Sequence, residues 1–432
     1  MITSSFDADT SASLPGPEWL RAARAQISSS IESLVLPDAG EEVWRYSRIN
    51  DFTLEKYSPS TEIASGSPDA LPRGVSNLID AIGSGAALVV THNGRIIHWD
   101  VDNILIGKGL RVVGPEQWPD GDGFGSVAKP VDAFGELNQA FVTEPILIDI
   151  PEGLYVESPI VVVHWVSGDG SASFPRVTVR AGAASEATIC ECLGGEDVDA
   201  LVAPVTELEV GAAANIRYVN VQTLGPRTWQ VAYQASRIER DATFVSSSVA
   251  LGGYYARVRT DSRLNGAGAT ARLNALYFGA EDQMHDFRTL QAHDAPKTTS
   301  DLLFKGAVGN VARSVYSGLI RVQKGASGTN AFQTNRNLVL SDGAHADSVP
   351  NLEIEENDVH CSHASAVGPI DEDQRYYLES RGVPPDIAER LIVLGFLDEI
   401  VSALSVSGLK PFLRRLVSEK LDRLSATGAR KP

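Results

Sequence analysis

Between about Phe174 and Asn351 the chain loosely repeats one pattern: an alternating strand-like run, a tight turn of Gly, Ala or Asp, and a second alternating run. VTVRAGAASEATICECLGG is followed by TELEVGAAANIRYVNVQTLG, then by SRIERDATFVSSSVALGG and SRLNGAGATARLNALYFGA. After an interruption comes GNVARSVYSGLIRVQKGASGTNAFQTNRNLVLSDGAHADS. The turns near Gly182, Gly211, Asp241 and Gly266 are roughly 20–30 residues apart, the span of one solenoid coil. Those near Gly325 and Gly343 lie closer together. Such a unit cannot bury its apolar face alone, so it must stack on copies of itself. Small residues suit the corners, where the backbone needs φ > 0 or comes close to its neighbour. The pattern predicts a mainly β chain built as a β-helix or solenoid, with an antiparallel sandwich as the competing architecture.

The flanks read differently. Residues 1–17 are polar, with Ser, Thr, Asp, Gly and Pro dominant, and are expected to be a disordered tail. Residues 18–85 read as an α-rich region opening with EWLRAARAQISSSIESL, whose Leu20, Ala23, Ile27, Ile31 and Leu34 recur at helix spacing. Ser58 to Pro72 reads as a loop. The β core is expected over 86–370. It begins with ALVVTHNGRIIHWD, where Asn93-Gly94 is a strong hairpin signal. A loop from Gly114 to Lys129 and a short helix from Ala133 to Phe141 interrupt it. From Asp371 the pattern is helical to the end: DEDQRYYLESRG closing at Gly382, then IAERLIVLGFLDEIVSALS and GLKPFLRRLVSEKLDRLS. These helices carry much apolar surface. It either packs back on the solenoid or docks a partner.

The net charge of −18 argues against nucleic acid and against an anionic membrane surface. No apolar run approaches a membrane span, and the N-terminus lacks the basic and apolar regions of a signal peptide. Three cysteines make no disulfide framework, so a cytoplasmic chain with reduced thiols is expected. The chain has no GxxxxGK[ST], GxSxG, HExxH or GxGxxG at a strand-to-helix turn.

Chemistry-bearing residues concentrate in NLEIEENDVHCSHASAVGPIDEDQRYYLESR, Asn351 to Arg381. Cys361 and His363 are two apart, so in a strand they share a face and could reach one ion as thiolate and neutral imidazole. His360 would point the other way. An acidic run, Glu353, Glu355, Glu356 and Asp358, precedes them. Two ligands cannot close a tetrahedral site, and the bland alternative is a buried Cys beside surface histidines. Cys190 and Cys192 share the same spacing and read better as small apolar core residues. His285 and His293, with Asp286 and Asp294, are eight apart. That is no ligand spacing, and a loop or interface role is expected.

The block PNLEI followed by NDVHCSHASAVGPIDEDQRYYLESRGVP resembles the SufB/SufD family of iron–sulfur cluster assembly proteins. VWRYSRINDF, FGELNQAF, IDIPEGLYVESPIVV, ARSVYSGLIRV and AFQTNRNLVLS agree with it, and the likeness covers most of residues 40–405. The Cys-Ser-His form resembles the SufD branch. Ala364 and Ala366 stand where the family usually has glycine and threonine, and His360 where lysine is common.

The resemblance implies a right-handed parallel β-helix between helical N- and C-terminal regions. It implies a non-catalytic scaffold that pairs with a SufB-like paralogue and docks SufC-like ABC-type ATPases. It also implies that His363, with Cys361 beside it, handles iron or a nascent iron–sulfur cluster at the junction of the two paralogues. The implied ATPase contacts lie in 371–432: Arg375, Tyr376, Tyr377, Leu378, Arg381, Gly382, Arg390, Leu391, Leu394 and Phe396. A reduced flavin, also associated with the family, has no motif here. The rival readings are a β-helix enzyme acting on an acidic polysaccharide and a homodimeric iron carrier.

Overall fold

The structure, a computed structural model, describes residues 5–31, 33–60 and 71–428. Its core is a parallel β-solenoid of two sheets, each coil giving one strand to each sheet. Eight strands of the first sheet run parallel, from Ile146–Ile150 to His345–Ile354. Eight of the second do so from Ile160–Val166 to Val359–Gly368. Register is continuous over most of the stack: Thr243 sits beside Thr270, Thr270 beside Thr299, and Tyr255 beside Met284. This parallel pairing excludes the antiparallel sandwich. Alternate side chains point into the coil, where Val177, Val179, Ile189, Leu208, Ile216, Ile238, Phe244 and Leu264 form one apolar cluster.

The corners divide the two needs that the sequence merged. The positive φ falls on Ala184, Ala213, Asp241 and Gly268, two residues or fewer beyond the small-residue signals. The glycines before them answer to close approach. A Cβ on Gly182 would lie 2.5 Å from Glu152 N, one on Gly211 2.6 Å from Ala181 O, and one on Gly266 1.9 Å from Arg240 N. Corners stack through backbone bonds, Ala184 N donating to Ala212 O and Ala213 N to Arg240 O, each at 2.8 Å.

The two ends of the solenoid differ. At the start the sheets are finished by antiparallel strands. Arg95–Val101 folds back on Ala87–His92 through Asn93 and Gly94, both at positive φ as a type I′ hairpin requires. Arg111–Val113 closes the first sheet against Ile146–Ile150. At the far end, His345–Ile354 and Val359–Gly368 have no further strand beside them among the described residues.

The N-terminal region covers the outer face of the first sheet. Trp44, Phe52, Phe134 and Phe141 pack there with Trp229, Tyr255 and Met284. Residues 5–17 belong to this cover, and the disordered-tail expectation fails for them. Ala8–Ser13 is a helix capped by Asp7, whose carboxylate accepts from Thr10 N at 2.7 Å. Phe6 is fully buried, edge-on to Phe141 at 5.3 Å between ring centres. Two apolar anchors, Phe6 and Leu14, override a polar average composition. Ser58–Pro59 is a short strand on Ser171–Ser173, while 61–70, the middle of the expected loop, lie outside the described residues.

The outer face of the second sheet lies under the C-terminal helices Pro385–Ala403 and Leu409–Gly428. Val393, Leu397, Ile400, Leu409, Leu413 and Val417 share a cluster with Val219, Val221, Val249, Leu276 and Phe278. Most of their apolar surface therefore packs back on the solenoid. No described helix is long and apolar enough to cross a membrane.

If coil stacking sets these glycines, Gly266→Ala should destabilise the chain by about 1–3 kcal/mol, because its Cβ meets backbone that cannot swing away. Gly107→Ala, with nothing within 4 Å of the added Cβ, should be silent. Equal midpoints for both variants in urea unfolding would contradict the stacking account.

Candidate metal centre and docking surfaces

Cys361 and His363 lie on the last strand of the second sheet, beside Ala331 and Gln333 of the coil below. Cys361 is half-buried and packs on Ile320, Val322, Ala326 and Ala331, which face the coil interior. Burial pushes its thiol pKa up. His363, two residues on, faces the same way but is exposed, because no further coil covers it. Its ring has no hydrogen-bond partner among the described residues. His360 alternates to the outer face. A thiol and an imidazole therefore share the rim of an open solenoid end.

No third ligand joins them within this chain: among the described residues, no group of three His, Cys, Asp or Glu could hold a metal. Two residues of the acidic run serve the corner instead. Glu356 accepts from Gly325 N at 3.0 Å and Asp358 from Ser327 Oγ at 2.7 Å. The donor types suit iron or a cluster, but the site is two ligands short of four. Around the rim the coil edges carry exposed Phe332, Val349, Leu352, Ile354 and Val367. A parallel edge with free N–H and C=O groups and apolar side chains invites another strand.

Cys190 and Cys192 are far from this rim. They face outward beneath the C-terminal helices, their sulfurs 3.8 Å apart within the apolar cluster there. The Cys190 contact and burial push the Cys192 thiol well up. The core reading holds, although the core in question lies between sheet and helices.

His285 and His293 correct the loop expectation. Both are buried within the strand Met284–His293. His285 Nε2 lies 3.1 Å from Gly252 O, and the His293 ring is held by Thr298 Oγ1 at 2.7 Å and Ser300 Oγ at 2.9 Å. Burial, with the Lys420 charge beside it, pulls the His285 pKa down to about 3. Burial alone pulls His293 down to about 4.

The C-terminal residues implied as contacts divide by environment. The helix Glu372–Glu379, capped by Asp371, buries no residue. Tyr376 is 72% and Tyr377 56% exposed, and Arg381 stacks on the Tyr377 ring at 4.5 Å. Arg375 pairs with Glu379 and Glu389, Leu378 is half-buried, and Gly382 takes φ 86° in the turn. On the next helix Leu391 is exposed, whereas Leu394 and Phe396 pack on the solenoid cluster. Phe396 also lies under Lys305, and Arg390 ties the two long helices through Asp422 and Ser418.

The alternation also places a row of polar side chains inside the late coils, which the sequence analysis did not single out. Tyr277 Oη donates to Asn337 Oδ1 and accepts from Asn335 Nδ2, both at 2.8 Å. The signal was there: Gln333, Asn335 and Asn337 occupy every second position of AFQTNRNLVLS, on the inward phase of Ala331.

Residues 164–396 match the family model described as SUF system FeS cluster assembly, SufBD core domain. That span reaches from the first full coil, through the Cys361–His363 rim, into the first long C-terminal helix. The chain belongs to the SufBD family. An iron–sulfur cluster assembly SufBD family protein of Mycobacterium tuberculosis is 34% identical over 304 residues, covering 68% of this chain and 74% of its own length. The iron–sulfur cluster assembly protein SufD of Escherichia coli is 29% identical, over 67% of this chain and 70% of its own. SufD of Bacillus subtilis is 27% identical over 420 residues, 94% of each chain. Membership in the SufBD family carries a role in iron–sulfur cluster assembly.

The two buried histidines set an acid limit on this SufBD chain. Their folded pKa values lie below the unfolded value near 6.5, so the unfolded chain holds more protons as pH falls below 6.5. Stability should be full above pH 6.5 and fall by about 2 kcal/mol per histidine by pH 5. Unfolding midpoints between pH 7 and 5 should show a shallower slope for His293→Gln. An unchanged slope would contradict the assignment.

Proposed function

We propose that the chain is a non-catalytic, SufD-like scaffold subunit that works in the cytoplasm. Its open solenoid end pairs with a SufB-like paralogue. Cys361 and His363 then meet ligands of that partner and help hold iron or a nascent iron–sulfur cluster. The C-terminal helices dock a SufC-like ABC-type ATPase, and nucleotide-driven movement of that ATPase biases the spacing of the ligands at the junction.

One observation carries this reading. Among the described residues the solenoid is finished at its start and bare at its end, and the bare rim holds a thiol and an imidazole two ligands short of a site. A second chain adding its edge would satisfy both deficits at once. For the ATPase, the exposed Tyr376, Tyr377 and Leu391, with Arg381 stacked on the Tyr377 ring, supply an apolar and cationic surface. A polysaccharide-cleaving enzyme would need carboxylates along an open face, whereas terminal segments cover much of both sheets.

The test is anaerobic co-expression with SufB-like and SufC-like partners, reading subunits, iron and sulfide. Deleting 372–432 would strip the cover from Val219, Leu276 and Phe278, so point variants are cleaner. His363→Ala should leave the complex assembled and lower iron and sulfide several-fold. Tyr376→Ala with Tyr377→Ala should weaken ATPase retention at least tenfold with the thermal midpoint unchanged. Unchanged iron in the first would leave this subunit an architectural partner only. Unchanged retention in the second would place docking elsewhere, and a complex mass of two copies of this chain alone would favour a homodimeric carrier.

A further inference from the structure

Gln333 stands out inside the solenoid. It is 1% exposed, yet neither end of its side-chain amide has a hydrogen-bond partner among the described residues. Buried polar groups are rarely left so. Its polar neighbours bond elsewhere: Asn335 bonds Tyr277 and Phe304 O, and Tyr316 Oη lies 3.2 Å from Thr289 Oγ1.

Space has also been kept for this amide. Across the coil stands Gly318, where a Cβ would lie 2.7 Å from Gln333 Oε1 and 2.2 Å from Tyr316 Oη. Beneath Gln333 is Leu302, which is apolar, and above it is His363. Above Gly318 is Pro350, and Ser348, stacked on Tyr316, has a hydroxyl likewise buried without a partner among the described residues. Unfilled polar groups thus gather under the rim where Cys361 and His363 stand.

We propose that Gln333 is a positioning residue for His363: its amide oxygen accepts one ring N–H and holds the other ring nitrogen, unprotonated, toward the open end. A metal-binding histidine generally has its second nitrogen held in this way, which fixes the tautomer and the ring orientation. A neutral amide does so without adding charge beside the thiol of Cys361. The inference rests on the proposed role of the rim in iron or cluster binding. It adds the residue that would make His363 a competent ligand before a partner arrives.

The test uses the full chain with three variants: Gln333→Met, which keeps volume and removes both polar atoms, Gln333→Glu, which keeps an acceptor, and His363→Ala. The tautomer of His363 is read from its ring nitrogen shifts by NMR, with His363→Ala assigning the signal. Fe(II) binding is read on the anaerobic complex with the SufB-like partner, and the thermal midpoint on the chain alone. Gln333→Met should shift His363 toward a mixture of tautomers and weaken Fe(II) binding 10–100-fold. Its midpoint should hold or rise, since an unsatisfied buried amide has been removed. Gln333→Glu should retain the wild-type tautomer. An unchanged tautomer in Gln333→Met, or a midpoint lowered by several degrees with Fe(II) binding intact, would make Gln333 a structural residue and overturn the proposal. A shifted tautomer with Fe(II) binding indifferent to both Gln333→Met and His363→Ala would uphold the positioning and overturn the metal role of the rim.

Discussion

The in-register backbone ladder between successive coils is the interaction on which the rest of the molecule depends. No coil here can bury its own apolar face, so each strand takes hydrogen bonds from the coil before and offers them to the coil after. Where the ladder is tight, the corners admit only glycine, as at Gly211 and Gly266, or a residue that tolerates left-handed backbone, as at Asp241. A ladder of this kind has two ends, and each must be finished or used. The start is finished by the antiparallel strands Arg95–Val101 and Arg111–Val113. The end is left as a template.

That asymmetry links the fold to its chemistry. The covered middle of the solenoid, between the aromatic N-terminal packing and the C-terminal helices, is the stable part. The terminal coil has few buried side chains and, among the described residues, one free edge per sheet, which places it among the segments that open and rearrange most easily. Ligands for a transient cargo belong on such a segment. A closed four-ligand site in the core would hold iron permanently. On the reading proposed above, two ligands on a rim hold it only while a partner completes the set. Two of the acidic residues that seemed to enrich this region, Glu356 and Asp358, turn out to secure the corner beneath it, through Gly325 and Ser327.

Much of the architecture was legible because it is written in periods. Two-residue alternation with regularly spaced small residues marked the coils, Asn93-Gly94 marked the hairpin, and Gly382 marked the end of the first C-terminal helix. Periodicity gives the phase of a strand and not which outer face another segment will cover. Cys190 and Cys192 could therefore be read as apolar core residues without showing that their core is the helix–sheet interface. Composition failed at Phe6 and Leu14, where two deeply buried apolar side chains outweigh the polar residues around them. The pair Cys361–His363 was visible as a spacing. Its exposure was not, because it follows from being last in the stack, and the stack's end is a property of the whole ladder. Gln333 was less visible still, since an unmet hydrogen bond exists only once every neighbour has been placed.

Hydrogen–deuterium exchange of the chain, alone and bound to a SufB-like partner, tests the central claim most directly. If the open end is the functional junction, backbone amides of His345–Ile354 and Val359–Gly368 exchange quickly in the isolated chain and become strongly protected on pairing, while the covered coils stay unchanged. Protection confined to the N-terminal cover or the C-terminal helices, with the terminal coil as exposed as before, would contradict the account.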